Sequence, residues 1–415
     1  MNSGKNTLYN TYGTFFYFLC QWLITVFVVR IGNYHLAGVF SLVISITNVF
    51  YCISLYGVRN YQVSDIKCEY SDADYFTLRT ITSIIGFVLF FVTIKTLHYD
   101  FEINSCCFIY MLYKIGEAFS DLLFGFNQKY DKYKNIAISY TLKGVGTLVI
   151  FIVTLYFTKD LFKTILSNVV VYFTIIFLFD WKNLRKNVSI QFKTDKIITL
   201  LKICFPLMLY ICLVPYLNFI TRYFVELNYG TDNLGYYSSV TMIVSVLSTL
   251  TNSVFVTVIP KISNLYYHKC YKEIRKLNLK TLVVFMLLLF FVMVAALYIG
   301  PFMFKIVFGK EILNYMYLLP LTVLTSFILS LVSFSSSVLI SFHKNMTVLL
   351  CNLTAIIVCT LTIGGFIKLL GMNGSLMSMF LSLLVSFVLL QININNVIKL
   401  ESRKVKSKID GKRVL

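Results

Sequence analysis

Long apolar stretches separated by short polar segments dominate the chain. Those near the length of a membrane-spanning helix, about 17 to 25 residues, form two sets of six on either side of a polar segment at 180–202. The first set covers residues 11–29, 36–55, 80–96, 107–126, 135–156 and 164–179, and the second covers 203–220, 235–259, 281–299, 317–341, 346–367 and 370–392. The pattern predicts an all-α integral membrane protein with about 12 transmembrane helices.

Composition agrees with a membrane protein. Of 415 residues, 58% are hydrophobic and only 13% are charged, and the mean hydropathy is +0.77. A soluble chain of this length has no core large enough to bury so much apolar surface.

The formal net charge of +19 raises the question of a nucleic-acid partner. If the N-terminus is cytoplasmic, most basic residues, including Arg59, Arg79 and the tail from Lys399 to Arg413, fall on the cytoplasmic side. The positive-inside rule then explains the charge, with both termini cytoplasmic, and the tail is expected to lie near anionic membrane lipids. No nucleic-acid partner is required.

Cysteine and histidine residues give no sign of a metal centre, a disulfide framework or a cofactor. The ten cysteines lie mostly in or beside apolar stretches without a CxxC pair, and the four histidines are scattered over loops. The sequence also contains no nucleotide-binding loop. We therefore expect no cofactor and no metal.

The stretch 107–126 differs from the others because it carries Lys114, Glu117 and Asp121. On a helix these positions, spaced i, i+3 and i+7, share one stripe. An ionisable group near the bilayer centre costs roughly 2.5–3.5 kcal/mol on insertion scales, so the three need partners or a hydrated cavity. One interpretation is a structural ion-pair set that fixes helix packing, and the other is a polar lining of a transport path.

A short internal repeat relates the two halves. GNYHLAGVFSLV begins at Gly32, after the first stretch, and GTDNLGYYSSV begins at Gly230, after the seventh. With six helices per half, a tandem repeat gives both halves the same orientation. We predict an N-terminal lobe at 1–180, a cytoplasmic linker at 181–202, a C-terminal lobe at 203–392 and a basic cytoplasmic tail at 393–415, with the lobes around a central cavity.

Several short motifs resemble a known family in the same order along about two thirds of the chain. They are the run from Asn6 to Tyr12, the turn from Gly32 to Ser41, Gly57–Tyr61 (GVRNY), the set Glu117, Asp121, Gly125 and Gln128, then Pro206, Asn218–Phe224 (NFITRYF) and Pro260–Ser263 (PKIS). The family usually has proline where this chain has Thr221. In these motifs the chain resembles the bacterial oligosaccharide flippases of the Wzx polysaccharide-export type, within the multidrug/oligosaccharidyl-lipid/polysaccharide exporter (MOP) superfamily.

The resemblance implies that the protein moves a polyprenyl-diphosphate-linked oligosaccharide from the inner to the outer leaflet of the bacterial cytoplasmic membrane by alternating access. A diphosphate needs cations along its path, and arginine suits bidentate phosphate contacts. Candidate cations are Arg30, Arg59, Lys114, Lys143 and Arg222. For the three arginines, snorkelling to lipid headgroups is an equally open interpretation.

Neutral polar residues and carboxylates complete the predicted site. Gln21 and Asn218 are candidates for hydrogen bonds to sugar hydroxyls. Glu117 and Asp121 are candidates for proton or sodium coupling, because carboxylates in a membrane cavity can bind and release a cation. Since stretches four and five are joined by a short hairpin, Glu117 and Lys143 should lie at similar depth, and a purely structural bridge between them is the alternative.

Three functions compete. A flippase fits the excess of intramembrane cations, whereas a cation-coupled multidrug or small-molecule exporter would favour an acidic, aromatic cavity. A membrane enzyme such as an oligosaccharide polymerase is the least favoured, since no nucleophile and base stand together and no long outer loop is present. We therefore expect a transporter and not an enzyme.

Overall fold

The computed structural model describes residues 3–65, 69–184 and 196–412, and in these ranges the chain is helical without strands. The first part contains α1 (Ser3–Ile31), α2 (Tyr34–Leu55), α3 (Val58–Ser64), α4 (Asp72–Thr96), α5 (Phe101–Lys129), α6 (Tyr133–Thr158), α7 (Leu161–Ile175), a π-helical turn (Ile176–Trp181) and the single turn α8 (Lys182–Leu184). The second part contains α9 (Ile197–Thr241), α10 (Ile243–Tyr267), α11 (Tyr271–Tyr298), α12 (Gly300–Phe308), a 3-10 segment (Glu311–Leu318), α13 (Leu319–Ser341), α14 (Asn345–Leu370) and α15 (Met372–Lys412).

The number of long helices matches the hydrophobic pattern. Ten helical stretches are long and apolar enough to cross a membrane. α5, with 29 residues, is as long but carries the three charges on its stripe, and α10 has 25 residues. Together they make twelve long helices in the described ranges, so the predicted all-α, multi-pass membrane fold is confirmed.

Two compact units divide the contacts, Met1–Tyr236 and Tyr237–Leu415. In the first, α1 packs along α6, and α2 packs between α4 and α5. Small residues permit these approaches: a Cβ added to Gly13 would lie 2.7 Å from the Cα of Ala137, where α1 meets α6. Such close backbone packing is the usual way in which helices associate where lipid removes the hydrophobic driving force.

The second unit is built around α13, which packs against α10, α11 and α15. Its buried polar side chains, in the residues described, are all neutral serine, threonine or asparagine. Asn352 links three helices, since its amide donates to Ser336 Oγ at 3.2 Å and its carbonyl oxygen accepts from Ser386 Oγ at 2.9 Å. The buried side-chain hydrogen bonds of Asn352 therefore join neutral groups on α13, α14 and α15.

The lobe boundaries predicted from the repeat stay a prediction. Half of the predicted linker, residues 185–195, lies outside the described residues, as do Lys67, Cys68 and the end of the tail at 413–415. The sixth span, predicted near residues 164–179, extends to Trp181, because the π-helical turn continues the helix. That turn keeps Asp180 buried at the end of the predicted N-terminal lobe.

Candidate functional site

Charged side chains in the first unit form a cluster around the polar stripe of α5. We call it the charge cluster, and its members are Arg59, Arg79, Lys114, Glu117, Asp121, Lys143 and Asp180. All are at least half-buried, and each takes part in an ion pair. The stripe predicted from the spacing on α5 supplies three of these members, Lys114, Glu117 and Asp121.

Asp121 lies between two arginines from different helices. Arg59 Nη1 donates to Asp121 Oδ1 at 3.2 Å, and Arg79 Nη2 donates to Oδ2 at 2.8 Å. Arg59 also bonds Gln128 Oε1 at 3.1 Å, and its side chain is 21% exposed, whereas that of Arg79 is 0% exposed. Arg79 is thus the enclosed partner of Asp121 and Arg59 the accessible one.

The position of Arg79 follows from how α4 begins. Ser71 caps the helix: its hydroxyl accepts from the Asp74 amide at 3.3 Å, and the Asp74 carboxylate accepts from the Ser71 amide at 2.8 Å. The helix therefore starts at Asp72 and carries Arg79 two turns inward. Arg79, which the sequence pattern left just before the apolar stretch at 80–96, lies within α4, because this capping box starts the helix well before that stretch.

The end of α2 supplies the second anchor of Arg79. α2 stops at Leu55, and Gly57 has φ of 68°, a left-handed conformation that favours glycine. The carbonyl of Ser54 is then one of the last helix carbonyls without a partner within the helix. Arg79 Nη1 donates to it at 2.8 Å, and Thr82 Oγ1 donates at 2.9 Å.

Lys114 and Glu117 form a second pair, one turn apart on α5. Lys114 Nζ donates to Glu117 Oε2 at 2.7 Å, and the Tyr17 hydroxyl donates to Glu117 Oε1. The ammonium also lies over the rings of Tyr51 and Tyr110, 5.0 Å and 5.4 Å from their centroids. Cation–π contact and charge pairing together compensate the loss of hydration of this lysine.

Lys143 pairs with Asp180 from the π-helical turn, and both side chains are fully buried. Its Nζ also donates to Ser120 Oγ at 2.7 Å and lies 4.8 Å and 4.9 Å from the ring centroids of Phe124 and Tyr172. The alternative of a bridge between Glu117 and Lys143 is wrong. The continued helix brings Asp180 to Lys143, and Glu117 is taken by Lys114 and Tyr17.

Other predicted site residues lie elsewhere. Gln21 is half-buried on α1 and its amide donates to Thr147 Oγ1 at 3.3 Å. Arg30 is exposed in the last turn of α1. Asn218 and Arg222 are half-buried on α9, one turn apart. The structure therefore brings together five of the predicted residues: Arg59, Lys114, Glu117, Asp121 and Lys143.

Sequence reasoning missed a buried amide beside the cluster. Gln62 on α3 is fully buried, and within the described chain neither its oxygen nor its nitrogen has a hydrogen-bond partner. It packs on Gly125, where an added Cβ would lie 2.0 Å from Gln62 Oε1. Buried polar atoms are rarely left unpaired, so Gln62 offers donors and acceptors one helix turn from Arg59.

The described residues hold no group of three histidine, cysteine, aspartate or glutamate side chains arranged for a metal ion. The charge cluster offers guanidinium, ammonium and carboxylate groups. These bind anions and exchange protons or cations.

Comparisons with known proteins relate the chain to polysaccharide biosynthesis. The family described as "Polysaccharide biosynthesis protein" matches residues 37–317, more than half of the chain. A curated relative, the capsular polysaccharide biosynthesis protein CapF of Staphylococcus aureus, is 25% identical over 298 residues, which cover 71% of this chain and 74% of CapF.

Solved structures share the fold at low sequence identity. An inward-facing multidrug resistance MATE family transporter of the MOP superfamily has a TM-score of 0.76 at 12% identity, covering 92% of this chain and 95% of its own. A mutant form of the Vibrio cholerae MATE transporter VcmN has a TM-score of 0.64 at 11% identity, covering 95% and 96%. A MOP superfamily transporter from Pyrococcus furiosus has 0.61 at 12%, covering 94% and 95%.

Proposed function

Because the chain belongs to the polysaccharide biosynthesis protein family, we propose that it is a flippase for a polyprenyl-diphosphate-linked oligosaccharide. It moves this lipid from the inner to the outer leaflet of the bacterial cytoplasmic membrane by alternating access. The family and the transporter fold point to a carrier and not to a catalyst.

The charge balance of the cluster carries the proposal. The cluster holds four cations, Arg59, Arg79, Lys114 and Lys143, but only three carboxylates, so it has an excess of one positive charge. An excess cation in a membrane span is costly unless an anion visits it. A cavity for lipophilic cations would have the opposite balance, which argues against the multidrug exporter.

Arg59 is the cation best placed to receive a phosphate. It shares Asp121 with Arg79, and it is the more exposed of the two. When a diphosphate approaches, Arg59 can turn from Asp121 to the phosphate while Arg79 continues to neutralise the carboxylate. Arg79 acts as a positioning residue, because without it the departure of Arg59 would leave the half-buried Asp121 without a cationic partner.

The remaining predicted residues take supporting roles. Lys114 offers a second phosphate contact. Glu117 and Asp121 are the proposed sites of proton or sodium coupling, because Lys114 and Arg59 turn from them to the substrate as it binds. Lys143 is enclosed by Asp180 and two rings, so we assign it the task of holding α6 against α7.

Outside the cluster, four predicted residues are proposed to contact the cargo at other depths. Gln21 and Asn218 would bind sugar hydroxyls, and Arg30 and Arg222 would bind the diphosphate near the outer face. With Arg30 and Arg222 near the outer face, both termini lie in the cytoplasm, as the positive-inside rule favours.

Reconstitution tests the proposal directly. Proteoliposomes receive a fluorescently labelled polyprenyl-diphosphate-linked saccharide, and its flipping is followed with a membrane-impermeant quencher. The wild-type protein should accelerate flipping, Arg59→Gln should abolish the acceleration, and Arg59→Lys should retain a fraction, because lysine keeps the charge but loses the bidentate contact.

The same vesicles contain their own controls. A neutral glycolipid should not be flipped, and Lys163→Gln, which removes an exposed cation outside the cluster, should leave the rate unchanged. If the wild-type protein fails to flip the diphosphate lipid but transports ethidium, a lipophilic cation, the flippase proposal is wrong and the exporter is correct.

A further inference from the structure

The two copies of the internal repeat touch each other in the structure. Gly38 lies near the start of α2, and Gly235 lies near the end of α9, after the helix is interrupted at Gly230, whose φ is 79°. Tyr34 lies four residues before Gly38, and Thr231 lies four residues before Gly235. These residues all belong to the first unit.

Their contacts are reciprocal. A Cβ added to Gly38 would lie 1.9 Å from the carbonyl oxygen of Thr231, and a Cβ added to Gly235 would lie 1.9 Å from the carbonyl oxygen of Tyr34. Each glycine thus meets the residue four positions before the other glycine. Such an exchange of equivalent partners is the signature of a two-fold contact, here between two repeats of one chain.

Side chains complete the pattern. His35 and Asp232, each three residues before its glycine, pair through Nδ1 and Oδ1 at 2.7 Å. The rings of Tyr34 and Tyr236 stack with centroids 3.7 Å apart. The His35 and Asp232 side chains are 52% and 69% exposed, so water screens their attraction, and an exposed pair holds such a contact only weakly.

The helix is interrupted directly before the segment that carries Gly235. A Cβ at Gly230 would meet nothing within 4 Å, so the interruption has open space on that side. Directly after it begin the contact residues from Thr231 to Tyr236. A close contact whose ion pair is screened by water, beside a left-handed glycine with open space on one side, is suited to opening and closing.

We propose that this reciprocal glycine contact is a latch: it joins the start of α2 to the end of α9 in one state of the protein and separates in another. The latch closes one membrane face, the face at which α2 begins, and the proposed transport cycle requires it to open. The contact geometry supports the latch, and distance measurements between spin labels can detect it without a transported substrate.

Spin labels on His35→Cys/Asp232→Cys, with the labelled pair identified by mass spectrometry, report the latch in lipid nanodiscs. Double electron–electron resonance should give a short-distance and a long-distance population. Gly38→Ala and Gly235→Ala should each raise the ratio of long to short by about tenfold or more, because one added methyl overpacks the contact. The two shifts should be similar, since the contacts are reciprocal.

Gly365→Ala is the matched control, because a Cβ there meets nothing within 4 Å, and it should leave the distances unchanged. A single distance population that neither glycine variant shifts would overturn the latch. This result is independent of whether the labelled lipid is flipped.

Cross-linking then connects the latch to transport. A short bis-thiosulfonate reagent on the same cysteine pair should lower flipping by the His35→Cys/Asp232→Cys protein at least tenfold, and reduction should restore it. Flipping that continues at the full rate in the cross-linked protein would show static packing and refute the latch.

Discussion

The buried pair of Lys143 and Asp180 can be separated into its contributions by a double-mutant cycle. Lys143→Met keeps a long side chain whose sulfur packs well against aromatic rings such as Phe124 and Tyr172, and Asp180→Leu replaces the carboxylate with an apolar group. Each single change leaves a charge buried without its partner, and the double change removes both charges.

The expected magnitudes follow from the complete burial of both side chains. Breaking a buried pair by removing one partner costs about 3–5 kcal/mol, which is roughly two to four orders of magnitude in the unfolding equilibrium. Replacing both partners with apolar groups is often neutral or stabilising. Both single variants should therefore be much less stable than the wild type, and the double variant should be close to it.

Equilibrium unfolding in mixed SDS micelles, followed by far-ultraviolet circular dichroism, measures the four stabilities. Flipping by the same four proteins measures the role of Lys143. If the double variant is no more stable than the single variants, the two charges are not coupled as the structure indicates. If the double variant is stable but does not flip the diphosphate lipid, Lys143 contacts the substrate and does more than hold α6 against α7.

Two further predictions concern the surroundings of the cluster. Gly125→Ala should destabilise the protein by about 1–3 kcal/mol, because its Cβ would lie 2.0 Å from Gln62 Oε1, whereas Gly365→Ala, with nothing within 4 Å, should be neutral or slightly stabilising in thermal unfolding. In the loop before α4, burial raises the pKa of Asp65, but hydrogen bonds from two backbone amides and the Tyr75 hydroxyl outweigh it, and the net pKa lies below its ordinary value. The stabilisation by the ionised carboxylate is present above about pH 4 and is lost as the pH falls through the lowered pKa. Asp65→Asn should therefore lower the melting temperature at pH 7 and not at low pH. An equal loss of melting temperature at every pH would contradict this.

Most of the architecture could be predicted from the hydropathy pattern and the spacing of charges. Twelve long helices and the stripe on α5 follow from apolar run lengths and from the helical period. The predicted link to polysaccharide export is confirmed as far as the family: the polysaccharide biosynthesis protein family matches residues 37–317, and the fold is similar to that of MOP superfamily transporters.

The partners of the stripe could be read only in part. The signal for Arg79 was present, because Ser71 followed by Asp74 marks a helix start ahead of the apolar run. The π-helical turn that retains Asp180 leaves no comparable mark in the sequence. The rings of Tyr51 and Tyr110 around Lys114 depend on packing between helices, which a pattern along one helix does not reveal.

The contrast between the two units has an electrical consequence. The charge cluster carries a net positive charge, while the buried polar residues described in the second unit are neutral. A membrane potential does work of about 2.3 kcal/mol per elementary charge for each 100 mV crossed, so voltage pulls on the cluster and hardly on the serines and asparagines of the second unit. The proposed diphosphate substrate would reverse the sign of this charge when it binds, so the loaded and the empty protein would feel the cell's voltage in opposite directions.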